Sequence, residues 1–134
     1  MKTIGAHVIV RASHPEVGEG LFAGAHIAQG DFIAEYTGRK ISSKFADTLK
    51  TRYLFEVDER WTIDGELSSN IARYINHSCI PNAEAEIHDS HIFILATRDI
   101  RPGEEITIDY GQEYFDEFIK PHGCKCARCA TSSR

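Results

Sequence analysis

The spacing of the four cysteines is the feature of this sequence that most constrains its fold. Three of them, Cys124, Cys126 and Cys129, lie in one short stretch near the end of the chain, and the fourth, Cys79, lies far upstream. Thiols this close together can surround one metal ion but cannot all form local disulfides, and Zn²⁺ prefers four such ligands in a tetrahedron. The spacing therefore predicts one structural zinc ion bound by all four cysteines, with the region around Cys79 held against the C-terminal segment.

Other uses of these cysteines stay open at the level of the sequence. They could be free thiols, one of them a small core residue, or they could form two disulfides, and His122 could replace one metal ligand. The N-terminal stretch lacks the long apolar run and cleavage site of a secretory signal, so we expect a reducing compartment. In such a compartment clustered cysteines bind metal more often than they form disulfides.

Length and charge narrow the class of partner. The chain has 134 residues, close to one typical domain, and 15 Lys and Arg against 20 Asp and Glu give a net charge of −5. Nucleic-acid binding needs clustered positive charge, so it is disfavoured, whereas a basic protein or peptide is favoured. No run reaches the roughly 18 apolar residues of a membrane span. We therefore expect an intracellular protein, cytoplasmic or nuclear and not bound to membranes, with secretion by a signal-less route left open.

Short apolar segments punctuated by Gly, Pro, Asp and Ser predict a mostly β fold. The clearest strands are Phe32 to Tyr36 and His91 to Ala96, the second of which follows an Asp89-Ser90 turn. Two short helices are predicted, one that begins at Ser42 or Ser43 as its N-cap and one over about residues 69–75. Because strands and helices do not alternate regularly, a Rossmann-type cofactor domain is disfavoured.

Residues 73–82 read Arg-Tyr-Ile-Asn-His-Ser-Cys-Ile-Pro-Asn, which is too polar for a core strand. By itself this stretch could be a capped turn, with Asn76, Ser78 and Asn82 bonded to nearby backbone. It resembles, however, the RFINHSCxPN signature of the SET-domain protein lysine methyltransferases. Further blocks resemble that family in the same order, namely Gly18 to Ala23 (its GxG block), Glu35-Tyr36-Thr37-Gly38, Gly103 to Tyr110 (its GEELxxDY block) and the post-SET-like CxCxxC tail.

The resemblance implies a SET-domain, β-clip-like fold over residues 4–112, followed by a post-SET-like zinc-binding tail over residues 113–134. In such a fold the C-terminal segment forms a pseudoknot that brings residues 73–82 and 103–110 together. The resemblance also implies S-adenosylmethionine on one face, with S-adenosylhomocysteine as its product, and a substrate lysine that enters from the other face. A histone-like basic protein is the expected substrate, and transfer of methyl to its ε-amine is the expected reaction.

Matching the family's motifs position by position assigns expected roles. Tyr110 is the expected catalytic residue, since its hydroxyl would orient the amine. Asn76 and His77 are expected to meet the amino-acid and adenine ends of the cofactor. The full cofactor set is Gly18, Glu19, Gly20, Leu21, Tyr53, Arg73, Asn76 and His77. The expected substrate channel is lined by Tyr36, Tyr74, Ile108 and Tyr110, and the expected metal ligands are Cys79, Cys124, Cys126 and Cys129.

The sequence also departs from the family in ways that affect function. Ile108 stands where the family commonly has Phe or Tyr, a position associated with the number of methyl groups added. The insert over about residues 42–66 is short, so part of the peptide groove is expected from a partner or from a homodimer. Tyr114, Phe115 and Phe118 either close over the cofactor or pack the tail. The competing functions are a catalytically inert SET-like module that binds peptides or partners, and a zinc-stabilised nucleic-acid binder.

Overall fold

The computed structural model describes residues 5–13, 18–49, 53–67 and 69–110. Their secondary structure consists mainly of short strands, which confirms the predicted mostly β class. The strands are β1 (Val8–Ala12), β2 (Glu19–Ala23), β3 (Phe32–Tyr36), β4 (Arg39–Ser42), β5 (Leu54–Glu56), β6 (Trp61–Asp64), β7 (Asn76–His77), β8 (Ala83–His88), β9 (His91–Ala96) and β10 (Thr107–Ile108). The predicted tail, with Cys124, Cys126, Cys129 and the three aromatic residues before them, lies outside the described residues.

Within the described residues the strands form four small sheets. Strands β1 and β2 pair as an antiparallel hairpin, β3-β9-β8 and β4-β6-β5 are three-stranded antiparallel sheets, and β7 and β10 pair in parallel. In β9 the side chains of Ile92, Ile94 and Ala96 are buried, and Phe93 and Leu95 between them are partly buried. The two-residue turn before β9 is also confirmed, since Asp89 and Ser90 have positive φ angles of 50° and 66°, as a tight hairpin requires.

The helical predictions are only partly correct. Ser42 is the N-cap, because its hydroxyl accepts a hydrogen bond from the Phe45 N–H at 3.1 Å, but helix α1 extends only over Ser43–Ala46. Residues four apart in a helix share one face, and an apolar pair of Phe45 and Leu49 would favour a longer helix. Phe45 is 48% exposed, so this pair does not anchor one. The second predicted helix is a 3₁₀ turn over Ile71–Tyr74. Within the described ranges, no helix is long and apolar enough to cross a membrane.

The parallel pairing of β7 with β10 is the long-range contact that builds the candidate site. Thr107 lies opposite Asn76 and Ile108 opposite His77, and the Ser78 N–H donates to the Ile108 carbonyl at 3.0 Å. The two segments that the pseudoknot was predicted to bring together are therefore adjacent. The core beneath them is apolar, and its largest fully buried hydrophobic side chains are Leu21, Ile27, Ile33, Ile92, Ile94, Ile100 and Ile106.

Asn82 fastens this arrangement from within the protein. It is only 2% exposed, and its side-chain amide donates to the Glu105 carbonyl at 2.8 Å and accepts from the Thr107 N–H at 2.9 Å. The alternative that Asn82 bonds only nearby backbone is therefore wrong. Its partners lie more than twenty residues away in the sequence. The Asn82 side chain bonds backbone groups at and just before the start of β10, as a neighbouring strand would otherwise do.

Candidate active site

Three of the sequence blocks, residues 18–23, 73–82 and 103–110, meet beside the parallel pair of β7 and β10. Strand β2 lies against the segment before β10, with the Ala23 N–H bonded to the Glu104 carbonyl at 2.9 Å and the Ile106 N–H bonded to the Leu21 carbonyl at 2.8 Å. Strand β2 also contacts the 3₁₀ turn that leads into β7. The fold thus brings the glycine-containing block, the 73–82 block and the 103–110 block to one place.

Asn76 is held in a single orientation by the protein around it. Its Nδ2 donates to the Glu19 carbonyl at 3.0 Å and to Glu105 Oε2 at 2.8 Å, while Glu105 Oε1 accepts from the Ser13 hydroxyl at 2.8 Å. An amide nitrogen has two hydrogens, and both are used in these contacts. The atom of this amide that a ligand would contact is therefore the acceptor Oδ1, which suits a positively charged amino group.

The two glycines of the first block are required for different reasons. Gly18 has a φ angle of +93°, a left-handed conformation that favours glycine, and a side chain there would meet open space. At Gly20 a Cβ atom would overlap Glu105 Oε2 and lie 3.1 Å from Asn76 Nδ2. Gly20 therefore makes room for the Glu105 carboxylate, a role that the sequence did not reveal. Its contact with a cofactor stays a prediction.

We expect Gly20→Ala to lower the favourable free energy of cofactor binding by more than it lowers the free energy of unfolding. The new methyl group must push the Glu105 carboxylate away from the Asn76 amide, and a hydrogen bond to a charged group contributes about 1.5–3 kcal/mol. The measurement is the dissociation constant for S-adenosylhomocysteine. Gly30→Ala is the control for a glycine replacement away from Asn76 and Glu105, since a Cβ there meets no atom within 4 Å and only the φ angle of +87° is strained. A Gly20 variant with unchanged affinity would mean that Asn76 is not held for the cofactor.

Tyr110 and His77 form the second part of the site. The Tyr110 N–H donates to His77 Nδ1 at 3.1 Å, the two rings lie 5.5 Å apart, and the Tyr110 hydroxyl donates to the Ile75 carbonyl. Burial lowers the pKa of the His77 imidazole, an effect that the Asp109 carboxylate only partly opposes. Tyr110 is therefore fixed against the segment that contains β7, next to the neutral imidazole of His77.

Arg73, Tyr53 and Tyr74 form a stacked group at the other end of the 3₁₀ turn. The Arg73 guanidinium lies 4.4 Å from the Tyr53 ring centre and 5.1 Å from that of Tyr74, and its Nη1 donates to the Glu66 carbonyl. Its Nε is buried, with no hydrogen-bond partner among the described residues. A buried donor without an acceptor costs free energy, and a carboxylate or ring nitrogen of a bound molecule would supply one. The carboxylate of S-adenosylmethionine would be one such acceptor, and the contact of Arg73 with a cofactor stays a prediction.

The predicted channel residues lie in or against one apolar cluster. Tyr36 is 8% and Ile108 5% exposed, and Tyr74 and Tyr110 are partly buried against the same cluster. The Tyr36 hydroxyl donates to the Tyr53 carbonyl at 2.9 Å. Close packing around Tyr36 depends on Gly65, where any side chain would collide with the Tyr36 ring. An apolar surface beside tyrosine hydroxyls suits the alkyl part of a lysine, and the channel itself stays a prediction.

Two acidic residues before β10 serve as hydrogen-bond acceptors rather than as an acid–base pair. Glu104 accepts from Arg98 Nη2 at 2.6 Å and from the Arg101 N–H at 3.0 Å, and the Arg98 hydrogen bond lowers the pKa of its carboxyl. Glu105 is used by Asn76 and Ser13, as described above. The partners of Glu105 are distant in the chain, so no local pattern in the sequence shows its role.

The described residues contain one of the four predicted zinc ligands. Cys79 is partly buried, with its Sγ 3.4 Å from His77 Nε2. Across the ranges that the structure describes, no group of three or more His, Cys, Asp or Glu side chains could hold a metal ion. Because Cys124, Cys126 and Cys129 lie outside those ranges, the zinc site stays a prediction.

Comparison with known proteins gives a family match over most of the chain. The SET domain model matches residues 18–111, which includes all the blocks that meet at the site. Similar curated proteins include the histone-lysine N-methyltransferase set1 of Dictyostelium discoideum, 41% identical over 123 residues, and the histone-lysine N-methyltransferase trithorax of Drosophila virilis, 36% identical over 124 residues. A third is the H3 lysine-4 specific histone-lysine N-methyltransferase of Emericella nidulans, 40% identical over 125 residues.

These relatives are much longer than this chain. The three alignments cover 82%, 84% and 82% of this chain but only 8%, 3% and 10% of the respective relatives. The similarity is therefore confined to one domain of each relative.

Proposed function

Because this chain belongs to the SET-domain family, we propose that it is a protein-lysine N-methyltransferase that depends on S-adenosylmethionine and acts on lysine in a basic, histone-like protein. The observation that carries the proposal is the position of Tyr110, whose hydroxyl is bound to the Ile75 carbonyl beside β7. The names of the relatives, all histone-lysine N-methyltransferases, support the same reaction. The net charge of −5 favours a basic substrate.

The residues at the site suit the two requirements of the reaction. A free lysine amine has a pKa of about 10.4, so it must be deprotonated before it can attack a carbon atom. The apolar cluster around Tyr36, Tyr74 and Ile108 disfavours the charged ammonium and excludes water. The Tyr110 hydroxyl would then orient the neutral amine for an in-line displacement.

S-adenosylmethionine would supply the activated methyl group. Asn76 Oδ1 would accept from its amino group, and the buried Nε of Arg73 would donate to an acceptor on the same molecule. The backbone of residues 18–21 and of β7 would bind the remaining polar groups.

The experiment that tests the function combines a labelled methyl donor with a defined set of proteins. We expect label to be incorporated into purified histones or into basic proteins of a cell lysate, at lysines that mass spectrometry identifies. Substrates in which those lysines are replaced by arginine serve as the matched control. A chain that binds S-adenosylhomocysteine but labels no protein would contradict the proposal and favour the inert peptide-binding module.

We propose further that Cys79 and the three tail cysteines bind one structural zinc ion. The expected result is one zinc per purified chain by metal analysis, with release by a strong chelator and loss of activity, since a closed zinc site contributes directly to folding. Cys79→Ser is expected to lower the zinc content, because serine is a poor zinc ligand. Protein that contains no metal and keeps its activity in chelator would contradict this proposal.

The expected location of the protein in the cell follows from its proposed substrate class. A histone-like substrate favours the nucleus, and an intracellular location, cytoplasmic or nuclear, stays a prediction. Dimerisation likewise stays a prediction from the short insert.

A further inference from the structure

We propose that the imidazole of His77 is a positioning residue for Tyr110, and that any contact of His77 with the cofactor is made by its backbone. The proposal rests on the proposed function, in which Tyr110 aligns the lysine amine. It changes the expected role of His77, whose side chain was a candidate for direct contact with the cofactor.

The hydrogen bonds fix the tautomer of the His77 ring. A backbone N–H can only donate, so His77 Nδ1, which lies 3.1 Å from the Tyr110 nitrogen, must be the unprotonated acceptor. The neutral ring therefore carries its proton on Nε2, which lies 3.4 Å from Cys79 Sγ and can donate to that sulfur. Asp109 Oδ1, at 3.8 Å from Nδ1, is too distant for a hydrogen bond.

The location of the ring supports the same role. The His77 side chain is only 5% exposed, and both of its nitrogen atoms are engaged within the protein, one with Tyr110 and one with Cys79. The Tyr110 ring stacks at a tilt of 56° with a centroid distance of 5.5 Å. The imidazole is therefore directed at the end of the 103–110 block.

Tyr110 is then held at two points of one short segment. Its backbone N–H is bound to the His77 ring, and its hydroxyl is bound to the Ile75 carbonyl two residues earlier. The strand pairing between β7 and β10 ends at Ile108, so it does not reach Tyr110. The His77 imidazole extends the attachment past the last strand pair and sets where the Tyr110 hydroxyl lies.

Two variants separate this role from a cofactor role. In His77→Asn the Oδ1 atom lies near the position of Nδ1 and can still accept from the Tyr110 N–H. In His77→Gln the amide reaches towards Cys79 instead and leaves the Tyr110 N–H without its acceptor. A displacement of about 1 Å at a catalytic group can reduce turnover about 10²-fold. We therefore expect kcat to fall about 10-fold to 10²-fold in His77→Gln and to be partly restored in His77→Asn.

Two further readouts do not depend on turnover. The dissociation constant for S-adenosylhomocysteine should stay within about 3-fold of the wild-type value in both variants. Hydrogen exchange of the Tyr110 amide should accelerate in His77→Gln and stay protected in His77→Asn, and this holds even if the wild-type chain transfers no methyl group. Thermal melting shows whether each variant is folded. If His77→Gln fails to fold and His77→Asn folds, the result again ranks Asn above Gln as a replacement for His77.

Three results would overturn the proposal. One is equal loss of kcat in the two variants. Another is a loss of cofactor affinity that accounts for the whole loss of activity. The third is an unchanged rate of exchange at the Tyr110 amide in His77→Gln.

Discussion

Tyr110→Phe is expected to abolish most turnover while cofactor binding is retained. The substitution removes only the hydroxyl, which donates to the Ile75 carbonyl and in our proposal orients the lysine amine. Removing one well-placed polar group from an active site typically costs about 10²–10³-fold in kcat. The dissociation constant for S-adenosylhomocysteine should change by no more than about 3-fold.

The thermal stability of Tyr110→Phe shows whether the variant keeps its fold. Losing one partly buried hydrogen bond costs about 1 kcal/mol, so the thermal melt should shift only slightly. Unchanged kcat would remove Tyr110 from the mechanism. A parallel loss of cofactor affinity would place its hydroxyl in the cofactor site rather than at the amine.

Asn82→Ala is expected to have the largest effect on stability. The substitution removes the hydrogen bonds of Asn82 to the partly buried Glu105 carbonyl and Thr107 N–H, at a cost of about 2–4 kcal/mol in the free energy of unfolding. Because these groups begin β10, its pairing with β7 should weaken and activity should fall as well. Denaturant unfolding measures the loss of stability. Hydrogen exchange at the Ser78 amide, which is bonded to the Ile108 carbonyl, measures the weakened pairing of β7 with β10.

Gln29→Ala is the matched control for loss of an amide side chain. Gln29 is exposed, and the substitution should change the free energy of unfolding by less than about 0.5 kcal/mol. If Asn82→Ala were as mild as this control, the hydrogen bonds of Asn82 to the Glu105 carbonyl and the Thr107 N–H would not be what holds the parallel pair together.

Elements with strong local patterns were predictable from the sequence. Strands β3 and β9 have the predicted bounds, because their apolar residues face the core and tight turns mark their ends. Strands β4 and β6 were not predicted, since four residues are too few to show alternation and their pairing is with distant segments. The helix predicted after Ser42 ends after one turn, as its cap specifies a start but no apolar face extends it.

The candidate site was predictable where residues form motifs and unpredictable where it depends on long-range hydrogen bonds. The family resemblance identified Asn76, His77 and Tyr110, and the fold brings them together. Nothing local in the sequence shows that Glu105 orients Asn76 or that the His77 ring holds the Tyr110 backbone. Such partners become neighbours only when the parallel pair forms.

The central claim is that residues 18–21, the β7 strand and Tyr110 line one site for cofactor and lysine. The most direct measurement is the change in backbone amide NMR signals during titration with S-adenosylhomocysteine. We predict saturable shifts at the Gly20, Asn76, His77 and Tyr110 amides, with the Asp89-Ser90 turn at the end of the β8–β9 hairpin unaffected. Saturating ligand with no shift at these four amides, or with shifts confined to that turn, would contradict the account.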